Sequence, residues 1–157
     1  MKPPPAILGI GKNYPNHARE LGAEPPRELV LFHKNPAAVI ADGEPILLPQ
    51  VVRTPDPGVD YEGELAVILG CDAKDVPEAE ARSVISHVAA ANDVSQRWWQ
   101  WQAGGGQWCR GKSFDSFCPL GDPLPISRVD DLQDLLITTS LNGEVVQRDS
   151  TASMIFP

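Results

Sequence analysis

Apolar residues along this chain fall in short runs, and nearly every run is closed by glycine, proline or an Asx-Gly pair. Residues 6–10 are apolar and stop at Gly11; residues 29–32 and 46–48 have the same form, the latter ended by Pro49. Runs this short, bounded by turn formers, predict strands rather than helices. Val39 and Ile40 make a short apolar piece before the turn signal Asp42-Gly43. Residues 61–69 are the clearest strand, rich in Val, Leu and Ile and closed by Gly70. Residues 88–94 are small and apolar and read as a buried strand ending at Asp93. Asn142-Gly143, between two strand-like runs in 137–146, predicts a hairpin, because a two-residue primed turn needs positive φ at both positions.

Helices are few in this reading. Pro15 and Asn16 start one that carries His17, Ala18, Arg19 and Glu20 and stops at Gly22. Residues 77–85 form a second, with Pro77 in the first turn and Glu78 and Glu80 where the helix dipole favours acids. Residues 96–102 form a short third. Pro25-Pro26, residues 53–58 and residues 104–106 read as loops. With 16 Pro and 13 Gly scattered through 157 residues, a helical bundle is excluded, and the fold expected is β-rich.

Composition narrows the function. Lys and Arg number 13 against 21 Asp and Glu, a formal charge of −8. That balance argues against nucleic acid as the main partner and against an anionic membrane surface. No apolar run reaches the roughly 18 residues of a membrane helix. The first twenty residues lack a signal peptide's apolar region and cleavage site. Cys71, Cys109 and Cys118 are odd in number and lack C-x-x-C spacing, which favours neither disulfides nor zinc and fits reduced thiols in the cytoplasm. The length suits a single domain, 1–157.

The sharpest chemical feature is Asp60-Tyr61-Glu62-Gly63-Glu64-Leu65-Ala66-Val67. On a strand, Glu62 and Glu64 share a face. Two carboxylates so close repel and are costly to desolvate unless a cation compensates, and a hard divalent ion prefers such oxygens. A solvated strand end is the plainer alternative. Asp93 adds a third acid, closing a run of small apolar residues; the alternative is a helix N-cap. His17 and Glu20, at helical i, i+3 spacing, suit a general base with an orienting acid, or an ordinary surface pair. Residues 106–113 fit the letter of G-x-x-x-x-G-K-[ST], but no apolar strand precedes them and Pro119 soon follows, so a nucleotide loop is disfavoured. The better reading is a loop running into a strand, from which Lys112, with Arg97 or Arg110, offers charge to an anionic substrate. The four tryptophans, between Trp98 and Trp108, read as core or interface packing before a ligand platform.

The segments GIGKNYPNHARELG, LFHKNPAAVIADGEPILLP, VDYEGELAVILG, AANDVSQR, QWCRGKSFDSFCPLGDPL and LNGEVVQ…MIFP, in this order, resemble the fumarylacetoacetate hydrolase family. The resemblance implies a β-rich α+β fold, a mixed β-roll that assembles as a homodimer. It implies a Mg²⁺, Mn²⁺ or Ca²⁺ site made by Glu62, Glu64 and Asp93. His17 falls on the family's general base, Glu20 on its partner acid in the acylpyruvase-like branch, Lys112 on the active-site lysine and Arg97 on a substrate-binding position. Lys34-Asn35-Pro36 stands where relatives often carry Lys-Pro-Pro. Relatives continue past the position of Pro157 with a G-T-P-containing segment, so the roll is expected to lack its C-terminal strands here. The implied activity is metal-dependent hydrolysis, isomerisation or decarboxylation of a small anionic 2-oxo or 2,4-dioxo acid through an enolate, as in aromatic catabolism. The alternative is a catalytically incompetent fragment, or a structural relative that keeps the fold without the chemistry.

Overall fold

The computed structural model describes residues 4–15, 24–52, 58–103 and 105–157. Its strands, in chain order, begin with β1 (Ile7–Gly11), β2 (Val30–Lys34), β3 (Val39–Ala41), β4 (Val59–Asp60), β5 (Gly63–Leu69), β6 (Ile85–Asn92) and β7 (Ser95–Gln96). After the helix α1 (Trp108–Lys112) come β8 (Cys118–Leu120), β9 (Leu124–Pro125), β10 (Leu136–Leu141) and β11 (Glu144–Ser150). The architecture is a β-rich α+β fold. Among the described residues no helix is long and apolar enough to cross a membrane.

The central sheet has the order β3-β8-β6-β5, with β9 also paired to β6. The β3–β8 pair is parallel and the others antiparallel, so the sheet is mixed. The β5–β6 ladder runs from Gly63↔Asn92 to Leu69↔Ile85. β1 and β2 form a separate antiparallel pair with Ile7 opposite Lys34. Alternation puts Leu8, Ile10 and Leu31 on its exposed face and leaves Lys34 buried on the other. Two strand residues each in β4 and β7 pair as Val59↔Gln96 and Asp60↔Ser95. Val52, Val94 and Phe117 form a buried core cluster, with Val59, Trp99 and Phe114 packed against it.

The β10–β11 hairpin turns at Asn142 (φ 52°) and Gly143 (φ 87°), as the Asn-Gly pair requires. It packs across the start of β5, where Gln147 Oε1 accepts the Gly63 N–H at 2.9 Å. Other expectations are corrected. Residues 46–48 form no strand: Pro45 and Pro49 carry no N–H, and the Leu47 N–H is taken by Ser116 Oγ at 2.7 Å. The expected helix at 77–85 is 3₁₀, Glu78–Val84, and buries no residue, so no apolar face holds it in α form. The strand expected to start at residue 61 begins at Gly63, and the one expected to close at Asp93 closes at Asn92. The short helix expected at 96–102 does form: residues 97–103 are helical, π-type over Trp99–Ala103, and Gln96 Oε1 accepts the Trp99 N–H at its start (2.7 Å). The 106–113 segment does not run as loop into strand. It contains α1, anchored by Trp108 against Phe32 (ring centroids 5.6 Å) and Trp101 (5.2 Å).

Candidate functional site

Three elements bring positive charge to the end of the β5–β6 ladder. The backbone of α1 passes so close to its neighbours that a Cβ on Gly111 would lie 2.6 Å from the Gln96 carbonyl oxygen and the Gln100 nitrogen. Only glycine allows this approach, and the next residue, Lys112, is thereby driven inward until 1% of it is exposed. All three ammonium protons find acceptors: Glu62 Oε2 at 2.7 Å, Asp93 Oδ2 at 2.6 Å and Ser95 Oγ at 2.6 Å. Lys34, at the end of β2, donates to Asp93 Oδ1 at 2.5 Å and to the Lys112 carbonyl oxygen. The third cation is Arg97, one residue past β7. Its Nε donates to Asp60 Oδ2 at 2.6 Å, and its Nη1 pairs with Glu62 Oε1 at 2.7 Å and donates to Gln100 Oε1 at 2.9 Å.

The acids reach the same place because the ladder is extended by side chains. The Glu62 N–H donates to Asn92 Oδ1 at 3.0 Å, and the Asp93 N–H donates to the Glu62 carbonyl at 2.8 Å. Glu62 and Asp93 thus leave one sheet edge together, on opposite strands, just outside the regular pairing. Glu64, within β5, lies opposite Ala91. Both Asp93 oxygens are engaged by ammonium groups, so the residue is no helix cap.

The electrostatics separate the two glutamates. Burial pushes the Glu62 carboxyl up, but Lys112 and Arg97 outweigh it and hold the carboxyl below its ordinary value. Glu64 makes no hydrogen bond or ion pair with another described residue. Burial first, and then the charges of Glu62 and Asp93, push its carboxyl from 4.5 up to about 8. Burial lowers the Lys34 ammonium more than Asp93 raises it. The Arg97 guanidinium is raised by Glu62 and Asp60 in spite of its burial.

Of the residues singled out from sequence, Glu62, Glu64, Asp93, Arg97 and Lys112 come together in one cluster. His17 and Glu20 lie outside the described residues. Glu62 and Asp93 close on cations, and among the described residues no three His, Cys, Asp or Glu side chains stand as a metal-binding group. The nucleotide-loop alternative is overturned: α1 ends at Lys112 instead of starting there, and the ammonium is spent on carboxylates. Each tryptophan contacts another ring, while Trp98 and Trp101 stay more than a third exposed. Trp99 lies against Phe114 with Arg110 over its ring at 4.0 Å, and Trp101 meets Trp108 edge-on. Sequence reasoning did not assign Lys34, Ser95, Gln100 or Asn92 to the site. Lys34 ends an apolar strand, which hinted at a buried charge, but nothing local shows that Asp93 receives it.

A family model described as fumarylacetoacetate (FAA) hydrolase C-terminal matches residues 6–157. A mitochondrial oxaloacetate tautomerase of Xenopus laevis is 36% identical over 154 residues, 98% of this chain and 47% of that protein. The solved 5-carboxymethyl-2-hydroxymuconate delta-isomerase of Mycobacterium smegmatis superposes with a TM-score of 0.80 at 40% identity, covering 95% of this chain and 56% of that one. The 2-hydroxyhepta-2,4-diene-1,7-dioate isomerase of Mycobacterium marinum superposes at 0.79 with 37% identity, covering 96% and 52%. The chain spans about half the length of these relatives. The family model covers nearly the whole chain and the fold agrees with the solved relatives, so the chain belongs to the fumarylacetoacetate hydrolase family.

Proposed function

We propose that this chain carries the acid cluster of an enzyme that interconverts enol and keto forms of a small anionic 2-oxo acid. Hydrolysis or decarboxylation of a 2,4-dioxo acid would draw on the same enolate chemistry. The observation that carries the reading is the convergence of Glu62, Glu64 and Asp93 on Lys112 in a chain whose named relatives are isomerases and a tautomerase.

The donor chemistry, three carboxylates, suits a hard divalent cation such as Mg²⁺, Mn²⁺ or Ca²⁺, and to take one Glu62 and Asp93 would have to turn from the cations that engage them here. Four acids (Asp60, Glu62, Glu64 and Asp93) meet three cations (Lys34, Arg97 and Lys112), and the carboxyl left without a partner among the described residues is Glu64. Glu62, Glu64 and Asp93 would hold the ion. Bound there, it supplies positive charge that favours the enolate form of a 2-oxo acid. Lys112 keeps positive charge at Glu62 and Asp93 and so limits the repulsion among the acids. Arg97 fixes Glu62 through Nη1 and leaves Nη2 for a substrate carboxylate. In this proposal His17, with Glu20 as its partner acid, would take the proton from the carbon beside the ketone while the enolate oxygen gains a proton, and the reverse transfers would restore the keto form.

The test is the enol absorbance of oxaloacetate mixed with the purified chain and MgCl₂. Wild type should speed its decay beyond the rate in buffer with MgCl₂, and Glu62→Ala should lose about 100-fold or more of that acceleration. A wild-type rate equal to the buffer rate sinks the proposal and leaves a fold relative without this chemistry.

A further inference from the structure

The Tyr14 hydroxyl is buried and makes no hydrogen bond with a described residue. Unpaired buried hydroxyls are costly and uncommon, so each one calls for a physical explanation, of which an absent ligand is one. The position of Tyr14 is set from its neighbour. Asn13 Nδ2 donates to the Phe156 carbonyl at 2.9 Å, Asn13 Oδ1 accepts the Phe156 N–H at 2.9 Å, and the Asn13 carbonyl accepts the Ile155 N–H at 2.8 Å. Three bonds to residues far away in sequence hold this backbone in place, so the hydroxyl is placed by tertiary structure.

Two acids act on that hydroxyl, Glu64 and Asp149. Asp149 is already used: its Oδ1 accepts the Ser150 N–H and the Ser153 hydroxyl, both at 2.8 Å. Glu64 has no such partner among the described residues. The clasp holds Tyr14 beside the chain that follows β11, and β11 packs on the start of β5 through the Gln147–Gly63 bond, next to Glu64; a buried donor and a half-buried acid thus stand near each other without being bonded. An oxygen-bearing ligand placed at the acid cluster would satisfy the phenol. Burial, Glu64 and Asp149 push the phenol up to about 12, so it remains a neutral donor throughout the working pH range.

We infer that Tyr14 is a substrate-contacting residue, its hydroxyl donating a hydrogen bond to an oxygen of the bound 2-oxo acid; this rests on the function proposed above. A neutral donor at this place selects for an oxygen acceptor and orients it against Glu64. It adds no positive charge, which Lys34, Arg97 and Lys112 already supply.

Tyr14→Phe removes the hydroxyl and nothing else. The probe is oxalate, a planar dianion that mimics a 2-oxo acid enolate, titrated calorimetrically in the presence of MgCl₂. The variant should bind oxalate about tenfold more weakly than wild type. The ligand-free variant should melt about 2–4 °C higher, since an unpaired buried hydroxyl has gone. Weaker binding together with greater stability is a combination that a merely structural tyrosine would not give. Equal oxalate affinity in the two proteins overturns the inference and leaves the function untouched, as does a variant that binds weakly because it melts lower. A wild type that neither binds oxalate nor acts on oxaloacetate overturns the function, and this inference with it.

Discussion

Glu64→Gln is the substitution that most directly tests whether the acid cluster carries uncompensated charge. Wild-type Glu64 ionises near 4.5 when unfolded and at about 8 in the folded chain. Below 4.5 the carboxyl is protonated in both states and its burial costs little. Between the two values the unfolded chain gives up the proton while the folded chain retains it, so wild-type stability falls as pH rises. Above about 8 the penalty is complete. At 1.36 kcal/mol per pH unit it comes to about 5 kcal/mol, and water reaching the half-buried carboxyl reduces the readable effect to about 2–4 kcal/mol. Glutamine has the same shape and no such penalty. Urea unfolding should therefore show the variant about as stable as wild type near pH 5 and more stable by about 2–4 kcal/mol near pH 8. Such a gap is a large share of the stability of an ordinary domain. If a divalent cation binds these acids, MgCl₂ should stabilise wild type more than the variant and narrow the gap near pH 8. A gap that stays flat across pH, or that favours wild type at high pH, would refute the account of Glu64 as an acid without a compensating partner.

Two further substitutions probe how the cluster is built. Lys112→Met removes three hydrogen bonds and the charge between Glu62 and Asp93, but Arg97 still holds Glu62 and Lys34 still holds Asp93. The loss should fall near 3 kcal/mol, the lower end for breaking a buried ion pair, read from urea unfolding at neutral pH; ATP titration should show no binding before or after the change. Unchanged stability would mean that the ammonium is not paired as described. Gly111→Ala puts a methyl 2.6 Å from the backbone of Gln96 and Gln100, which cannot yield as a side chain can. It should cost about 1–3 kcal/mol in the same assay and weaken any Lys112-dependent activity, and a neutral effect would show that α1 does not approach so closely.

The acids of this cluster were legible in the sequence, as were two of its three cations, Arg97 and Lys112; Lys34 was not, nor which acid each cation meets. Glu62 and Glu64 stand two apart at the start of an apolar run, and Asp93 closes another. Burial of acids in such places demands compensation whatever the fold, so a local pattern sufficed to flag them. The hairpin was legible for a similar reason, because Asn142 and Gly143 must both take positive φ. Residues 46–48 misled because an apolar run says nothing of whether a partner strand is available. At α1, glycine, lysine and serine letters suggested a loop. The helix forms because Trp108 is held by Phe32 and Trp101, contacts that exist only after β2 and the 99–103 turn are in place.

The same distinction explains how the site is assembled. Its three central acids come from the facing ends of two antiparallel strands, β5 and β6, adjacent in the sheet and joined by ordinary register. Its cations come from three separate elements: Lys34 from β2, Arg97 from beyond β7 and Lys112 from α1. Lys34 and Asp93 are 59 residues apart, Glu62 and Lys112 are 50, and the Asn13–Phe156 clasp that positions Tyr14 spans 143. The sheet alone would gather negative charge at one edge. That edge becomes tolerable only when the β1–β2 pair and α1 dock on it and bring their ammonium groups. Folding of the central sheet and docking of these peripheral elements are therefore coupled through Asp93, which binds a cation from each. Of the three central acids, Glu64 is the one that this docking leaves without a hydrogen bond or ion pair among the described residues. It is consequently the position where a further cation or a ligand oxygen has most to gain.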